Sequence, residues 1–271
     1  MELRKSLKLT NKYCPLLLVP IILDLLQIVD IQRYAQEFNL KFILPSAIPS
    51  ITQLLNTANK GGSTLNINLP FTSELDGYWL TVILILYYLL GAYLNGGFLG
   101  CIFKGVQDEP LSLRTYLQMA NKYFERFLYQ SLLVLAILFG FFTLMMATGQ
   151  MAFLFMFGLF LLTFFLIFWD YALVAEDVGV IEAAKISLAR IKGNFGKVLR
   201  FVVPIIIITA LCSILVNFLV GAGTIMTVVA IVFNAYYGTT VILTLMGFYW
   251  QISHPETCEI NHTLSEDKIQ S

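Results

Sequence analysis

Charge is what this chain has least of. Only 13% of its 271 residues are Asp, Glu, Lys or Arg, while 58% are hydrophobic and the mean hydropathy is +0.78. Soluble domains carry about 25% charged residues, so a water-soluble globule is excluded. Seventeen basic residues balance seventeen acidic ones. With no basic surplus to neutralise a phosphate backbone, no nucleic-acid partner is expected.

Histidine is nearly missing as well. His254 and His262 are the only two, both near the carboxyl end, which leaves no HExxH zinc site and no Ser-His dyad. A Gly-rich phosphate loop of the Walker type is absent too. No catalytic residue, metal or cofactor is therefore expected, and the chain does not read as an enzyme.

Long uncharged runs are what the chain has in abundance. Residues 77–103, 127–169 and 201–255 contain no Asp, Glu, Lys or Arg. A membrane span needs about 20 apolar residues, so these runs hold one, two and two spans, with turns at Thr148-Gly149-Gln150 and Gly221-Ala222-Gly223-Thr224. A weaker first span follows the basic stretch Arg4, Lys5, Lys8, Lys12 and is interrupted by Pro15, Pro20 and Asp24; with no small-x-small cleavage site after it, it reads as uncleaved. The expectation is an all-α polytopic membrane protein, with a membrane domain over 1–250 and a polar tail over 251–271. Six spans pair as three hairpins, at about 14–31, 78–103, 127–148, 151–175, 201–220 and 225–250.

Orientation follows from the basic residues. With the amino terminus in the cytoplasm, fourteen of the seventeen Lys and Arg fall inside, and only Arg33, Lys41 and Lys60 fall outside. That bias places both termini in the cytoplasm. Cys14, Cys101 and Cys258 then lie at or on the inner side and Cys212 within a span, so no outer disulfide is expected. The sequon Asn261-His262-Thr263 would stay unused.

Outer loop 32–76 is the one sizeable outer segment. It reads as helical pieces at 32–42 and 50–59, a Gly61-Gly62-Ser63 break and a strand at 65–69. Both inner loops read as amphipathic helices, at about 111–126 and 178–197. In the first, Leu113, Tyr116, Leu117, Ala120, Tyr123, Phe124 and Phe127 recur at helical spacing. In the second, Ile181, Ala184, Leu188, Ile191 and Phe195 form the apolar stripe, Asp177 the N-cap, and Lys185, Arg190, Lys192 and Lys197 the basic face. Such helices lie at the headgroup plane and favour anionic inner-leaflet lipid by about 1 kcal/mol per basic residue; a docking surface for a cytoplasmic partner is the sharper alternative.

There is an internal repeat. Residues 3–13 match residues 113–123 at six of eleven positions, ending in Asn11-Lys12-Tyr13 and Asn121-Lys122-Tyr123, and a fainter copy ends at Asn194-Phe195. The run LNGGFLGCIFKGVQDEPLSLRTYLQMANKYFERFL and the run YALVAEDVGVIEAAKISLARIKGNFGKVLRF resemble two hallmarks of bacterial six-span inner-membrane proteins of unknown function. That group is related to the membrane domain of glycerophosphoryl diester phosphodiesterase. The likeness covers about residues 77–250 and implies a plasma-membrane fold without an established chemistry.

Polar groups inside spans are the functional leads. A carboxylate at a helix centre costs about 2.5–3.5 kcal/mol, so Asp24 needs a partner or a watery cavity, and Asn95, Asn217 and Asn234 are candidates to supply it. Asp170 is placed to pair with an inner-loop Arg or Lys. A packing role for these carboxylates is favoured over a proton or cation pathway. Gly96 and Gly100 form a GxxxG pair beside Gly97, suited to close packing within the chain. Glu182-Ala183-Ala184 resembles the coupling loop of permeases of the ATP-binding cassette type, which would imply a separate ATPase as partner, although Leu188 stands where that motif has glycine. The sequence thus points to a non-enzymatic, membrane-embedded or transport-related envelope component. A permease subunit coupled through Glu182 is the alternative, and a lipid-acting enzyme using Asp24 or Asp170 a third reading.

Overall fold

A computed structural model describes residues 3–28, 31, 48–54, 77–148 and 152–254. Among them every element is helical: α1 (Leu3–Lys12), α2 (Leu18–Leu26), α3 (Gly77–Val106), α4 (Leu113–Thr148), α5 (Ala152–Phe165), α6 (Trp169–Ala175), α7 (Val180–Gly193), α8 (Phe195–Gly221) and α9 (Thr224–Ser253), with 3-10 turns at Cys14–Leu17 and Ile51–Gln53. Stretches of α3, α4, α8 and α9 are long and apolar enough to cross a membrane. The protein is an integral membrane protein with four such helices among the described residues.

The other two expected spans are in pieces. Pro15 enters the 3-10 turn without an N–H to continue α1, and the chain bends by 86° between Ser6–Lys12 and Cys14–Leu26. The expected span 151–175 breaks at residues 166–168, between α5 and α6. Neither proline nor glycine causes that break. Instead the Ser187 hydroxyl of α7 donates to the Phe165 carbonyl at 3.1 Å, and the Trp169 indole N–H donates to the Val180 carbonyl at 2.8 Å. The first bond satisfies a carbonyl that an unbroken helix would pair with the residue 169 N–H, and the second ties the start of α6 to the start of α7.

Helix α4 also departs from expectation. The amphipathic segment 111–126 is not a separate interfacial helix, because from Leu113 it is continuous with the following span in one helix of 36 residues. Tyr116, Ala120, Tyr123 and Phe127 of its apolar face cover the glycines of α3, while Leu113 and Leu117 stay exposed. A Cβ on Gly97 would meet the Tyr116 ring at 2.7 Å, and one on Gly100 would meet the Met119 Cβ at 2.6 Å. A Cβ on Gly96 would lie 3.2 Å from the Tyr123 Cβ, so both members of the GxxxG pair, with Gly97 beside them, pack against α4 within the chain. The Tyr116 hydroxyl completes the contact by donating to the Leu94 carbonyl at 2.9 Å.

On α7 the buried face is turned from the one expected. Val180, Ala183 and Ser187 are buried together with the expected Ile191, whereas Ile181 is 64% exposed and Phe195, which starts α8, 47% exposed. Small residues point inward because the helix lies close against α6, and the larger Ile181 is left outside. Asp177 does not cap this helix either. Gly179 occupies the N-cap without a side-chain bond, and Asp177 turns at φ 53° toward α4.

Most of the buried core lies toward one end of the long helices. It gathers Phe98, Leu99 and Ile102 of α3, Tyr123 and Phe127 of α4, Tyr171 and Leu173 of α6 and residues 241–246 with Tyr249 of α9. A smaller cluster at the other end joins Ile31, Ile51 and Leu54 to Val216, Val220, Ala230 and Ile231.

Candidate functional site

The smaller cluster leads to the site. Residues 48–54, part of the expected outer loop, form a short strap, irregular but for its 3-10 turn, set into the bundle, where Ile51 is fully buried and Ile48 and Leu54 nearly so. The rest of the expected helix 50–59 and the expected pieces 32–42 and 65–69 lie outside the described residues, apart from this 3-10 turn. Irregular backbone at membrane depth survives only where protein or a watery cavity satisfies its polar groups. Here the bundle does so bond by bond.

Asp24 holds the centre of the strap. Its Oδ1 accepts from the Ser50 hydroxyl at 2.6 Å and its Oδ2 accepts from the Ile51 N–H at 2.8 Å. Ser50 in turn caps the short turn, accepting from the Thr52 N–H. Asn95 on α3 accepts from the Ile48 N–H at 3.4 Å, and Ser213 on α8 donates to the Leu54 carbonyl at 3.3 Å. Between these contacts, Pro49 lies so close to Gly238 of α9 that any Cβ there would overlap its ring. Four helices thus grip seven residues.

The partner expected for Asp24 was an asparagine, and the structure corrects this. None of Asn95, Asn217 or Asn234 bonds the carboxylate. Asn95 serves the strap, and Asn217 donates to the Ser213 carbonyl at 2.8 Å. The partners are a serine and a backbone amide 26 and 27 positions along the chain, a pairing that no local spacing announces. No ion pair to Asp24 occurs among the described residues.

Beside the strap the polar complement is incomplete. Asn217 Oδ1 and Asn234 Nδ2 are buried without a partner among the described residues, in side chains only 6% and 4% exposed. Asn234 shares a face of α9 with Ala230 and Gly238, one turn away on either side; Ala230 clusters with Ile51 and Leu54, and Gly238 meets Pro49. An unsatisfied acceptor and an unsatisfied donor therefore flank the strap site, each costing about 1–3 kcal/mol while unmade.

Asp170 is elsewhere. It accepts from the Gln130 side chain and makes no ion pair among the described residues, so the expected Arg or Lys is not its partner. Those cations go to Asp177, which meets Lys122 at 2.9 Å and Arg126 at 2.7 Å. Partial burial pushes the Asp177 carboxyl up, but the Lys122 and Arg126 charges outweigh it and hold the group below the ordinary carboxylate range.

The repeated Lys-Tyr pairs do matching work. Lys12 lies 3.4 Å from Asp108 and over the Tyr13 ring, while the Tyr13 hydroxyl donates to the Glu109 carbonyl. Lys122 lies over the Tyr123 ring beside Asp177, and the Tyr123 hydroxyl donates to the Val174 carbonyl. Both aspartates sit at positive φ just past a helix end. For the third, fainter copy no such clasp occurs among the described residues.

On α7, Glu182 and Lys185 are exposed and Arg190 is half-buried; Lys192 and, on α8, Lys197 are exposed. No group of metal-ligating side chains gathers among the described residues. A cavity of about 220 Å³ between α8 and α9 is edged by Leu7, Phe233 and Val241 and also by Tyr236, Tyr237, Thr240 and Thr244, whose hydroxyls are already bonded within the chain. The four long apolar helices define the class: an all-α integral membrane protein, here with a buried polar cluster around residues 48–54. Against known proteins, no family model, no curated protein and no solved structure matches this chain.

Proposed function

We propose that this chain is a multi-pass protein of a bacterial plasma membrane, without catalytic function, and that it is a transport-related component seen with its outer side closed. The observation that carries this reading is the strap. A buried carboxylate spent on holding a short, irregular segment inside a bundle of long helices, next to unsatisfied asparagines, suits a plug in a polar passage better than a packing device.

Six crossings and cytoplasmic termini fit the same reading. Asp177 pairs with Lys122 and Arg126 near the start of α4, yet the helix runs on to Thr148, about 33 Å beyond Arg126 at 1.5 Å per residue. Residues 152–175 must bring the chain back across that distance, so α5 and α6 together serve as a broken crossing. The distribution of Lys and Arg puts the clasped end in the cytoplasm and the strap outside. Basic positions on α1 and α7 there favour anionic lipid.

Gly238→Ala tests the function. A methyl group at this position must push Pro49 and the strap outward. In proteoliposomes, the variant should leak small polar solutes that the native protein retains, and Ile51→Cys should become reactive to a membrane-impermeant thiol reagent in the Gly238→Ala background. A released strap without any leak would refute the transport reading.

One observation favours a second reading. Glu182 is exposed while Ala183 and Ser187 anchor its helix, which leaves the Glu182 side chain on the outside of α7, open to a separate ATPase. Purification in mild detergent with a stoichiometric ATPase that Glu182→Lys removes would establish it.

A further inference from the structure

We infer that the site under the strap binds a small organic cation carrying a primary ammonium group beside an amide, the chemistry of the amino end of a peptide or an amino-acid amide, and that the strap is its internal stand-in. The inference rests on the plug reading above and identifies what replaces the plug.

Its logic is one of substitution. Both oxygens of Asp24 accept, one from a hydroxyl and one from a backbone N–H, and both donors belong to the strap. Asp24 is 1% exposed and has no ion pair among the described residues. When the strap leaves, a buried anion is stranded without donors, which membrane and protein interiors alike penalise heavily. A ligand can open the site only by offering Asp24 more than the strap does. A cation with N–H donors does so, because it replaces both hydrogen bonds and adds the missing charge.

Two asparagines, each one helical turn from the strap contacts Ser213 and Gly238, specify what else the ligand carries. Asn234 Nδ2 is a buried donor in need of an acceptor, and Asn217 Oδ1 is a buried acceptor in need of a donor. An amide presents a carbonyl to the first and an N–H to the second. The strap is itself made of peptide groups held at Ile48, Ile51 and Leu54 by Asn95, Asp24 and Ser213. A ligand with ammonium and amide groups repeats that pattern and adds a charge.

Glycinamide is the probe. The full-length Ile51→Cys protein is reconstituted in vesicles and labelled from outside with an impermeant, negatively charged methanethiosulfonate. Saturating glycinamide should speed labelling about tenfold, the population shift that about 1.4 kcal/mol of preferential binding produces. Its N,N,N-trimethyl analogue keeps the charge but lacks the ammonium N–H donors, and acetamide lacks the charge; neither should accelerate labelling, nor should sodium chloride at the same ionic strength. Asp24→Asn should abolish the response to glycinamide. Equal acceleration by the trimethyl analogue would overturn the donor argument, and equal acceleration by sodium would reassign the site to a metal cation. No response to glycinamide would overturn the proposal outright; in that case Gly238→Ala still reports on the plug, because it releases the strap sterically and needs no ligand. Calorimetry of glycinamide with native protein, where no cysteine has been added, provides a second readout: no binding heat there also refutes the assignment.

Discussion

Replacing Asp24 separates its hydrogen bonds from its charge. In Asp24→Asn the side-chain oxygen can still accept from the Ile51 N–H, while the new NH₂ donates to the Ser50 oxygen, which is free to accept because its own hydrogen can turn to Thr52 Oγ1 at 2.8 Å. Both contacts survive and the desolvation of a buried anion disappears, so stability should stay within about 1 kcal/mol of native. Asp24→Leu removes both acceptors. Ser50 can again turn to Thr52, but the N–H of fully buried Ile51 is left unmade, at about 1–3 kcal/mol. Ser50→Ala strands the carboxylate oxygen instead and removes the cap of the 3-10 turn, with a loss of about 1.5–3 kcal/mol. Equilibrium unfolding in a single detergent should therefore place Asp24→Asn beside the native protein, and Asp24→Leu and Ser50→Ala together below it. If Asp24→Asn falls as far as Asp24→Leu, the charge and not the hydrogen-bond pattern holds the strap, and the reasoning fails.

Two further outcomes follow from the basic end of the bundle. Gly97→Ala should destabilise by about 1–3 kcal/mol, because its methyl would meet the Tyr116 ring at 2.7 Å and threaten the hydroxyl's bond to Leu94; in a Tyr116→Ala background the same change should cost far less, and additivity in that double-mutant cycle would contradict the close-packing account. Asp177, held below the ordinary carboxylate range by Lys122 and Arg126, should contribute stability that is present above about pH 4 and lost as pH falls through its depressed folded value. Because the pair is about half exposed, screening keeps the effect to a fraction of about 1 kcal/mol. The stability gap between native protein and Asp177→Asn should shrink on acidification, and a gap unchanged at pH 3 would count against the ion pairs.

Composition and periodicity alone determined the helical class and the membrane environment. Uncharged runs long enough to cross a bilayer are local properties, and α3, α4, α8 and α9 form where those runs lie. The turn at Gly221–Thr224 was equally legible, since Gly223 there adopts φ 119°. Tertiary structure decided what those segments touch. Nothing in residues 161–169 announces a break, which depends on Ser187 and Trp169 reaching across between α5, α6 and the start of α7. The stripe on α7 was misread by one position because periodicity ranks residues by apolarity, whereas close approach to α6 selects Ala183 and Ser187 for their small size. Asp24 was recognisable as a buried carboxylate in need of a partner, but its partners come from a strap more than twenty residues away. Sequence spacing reports the neighbours a helix brings together within a turn or two; the neighbours that a loop brings back into the bundle are set by which buried groups remain unsatisfied once the helices have packed.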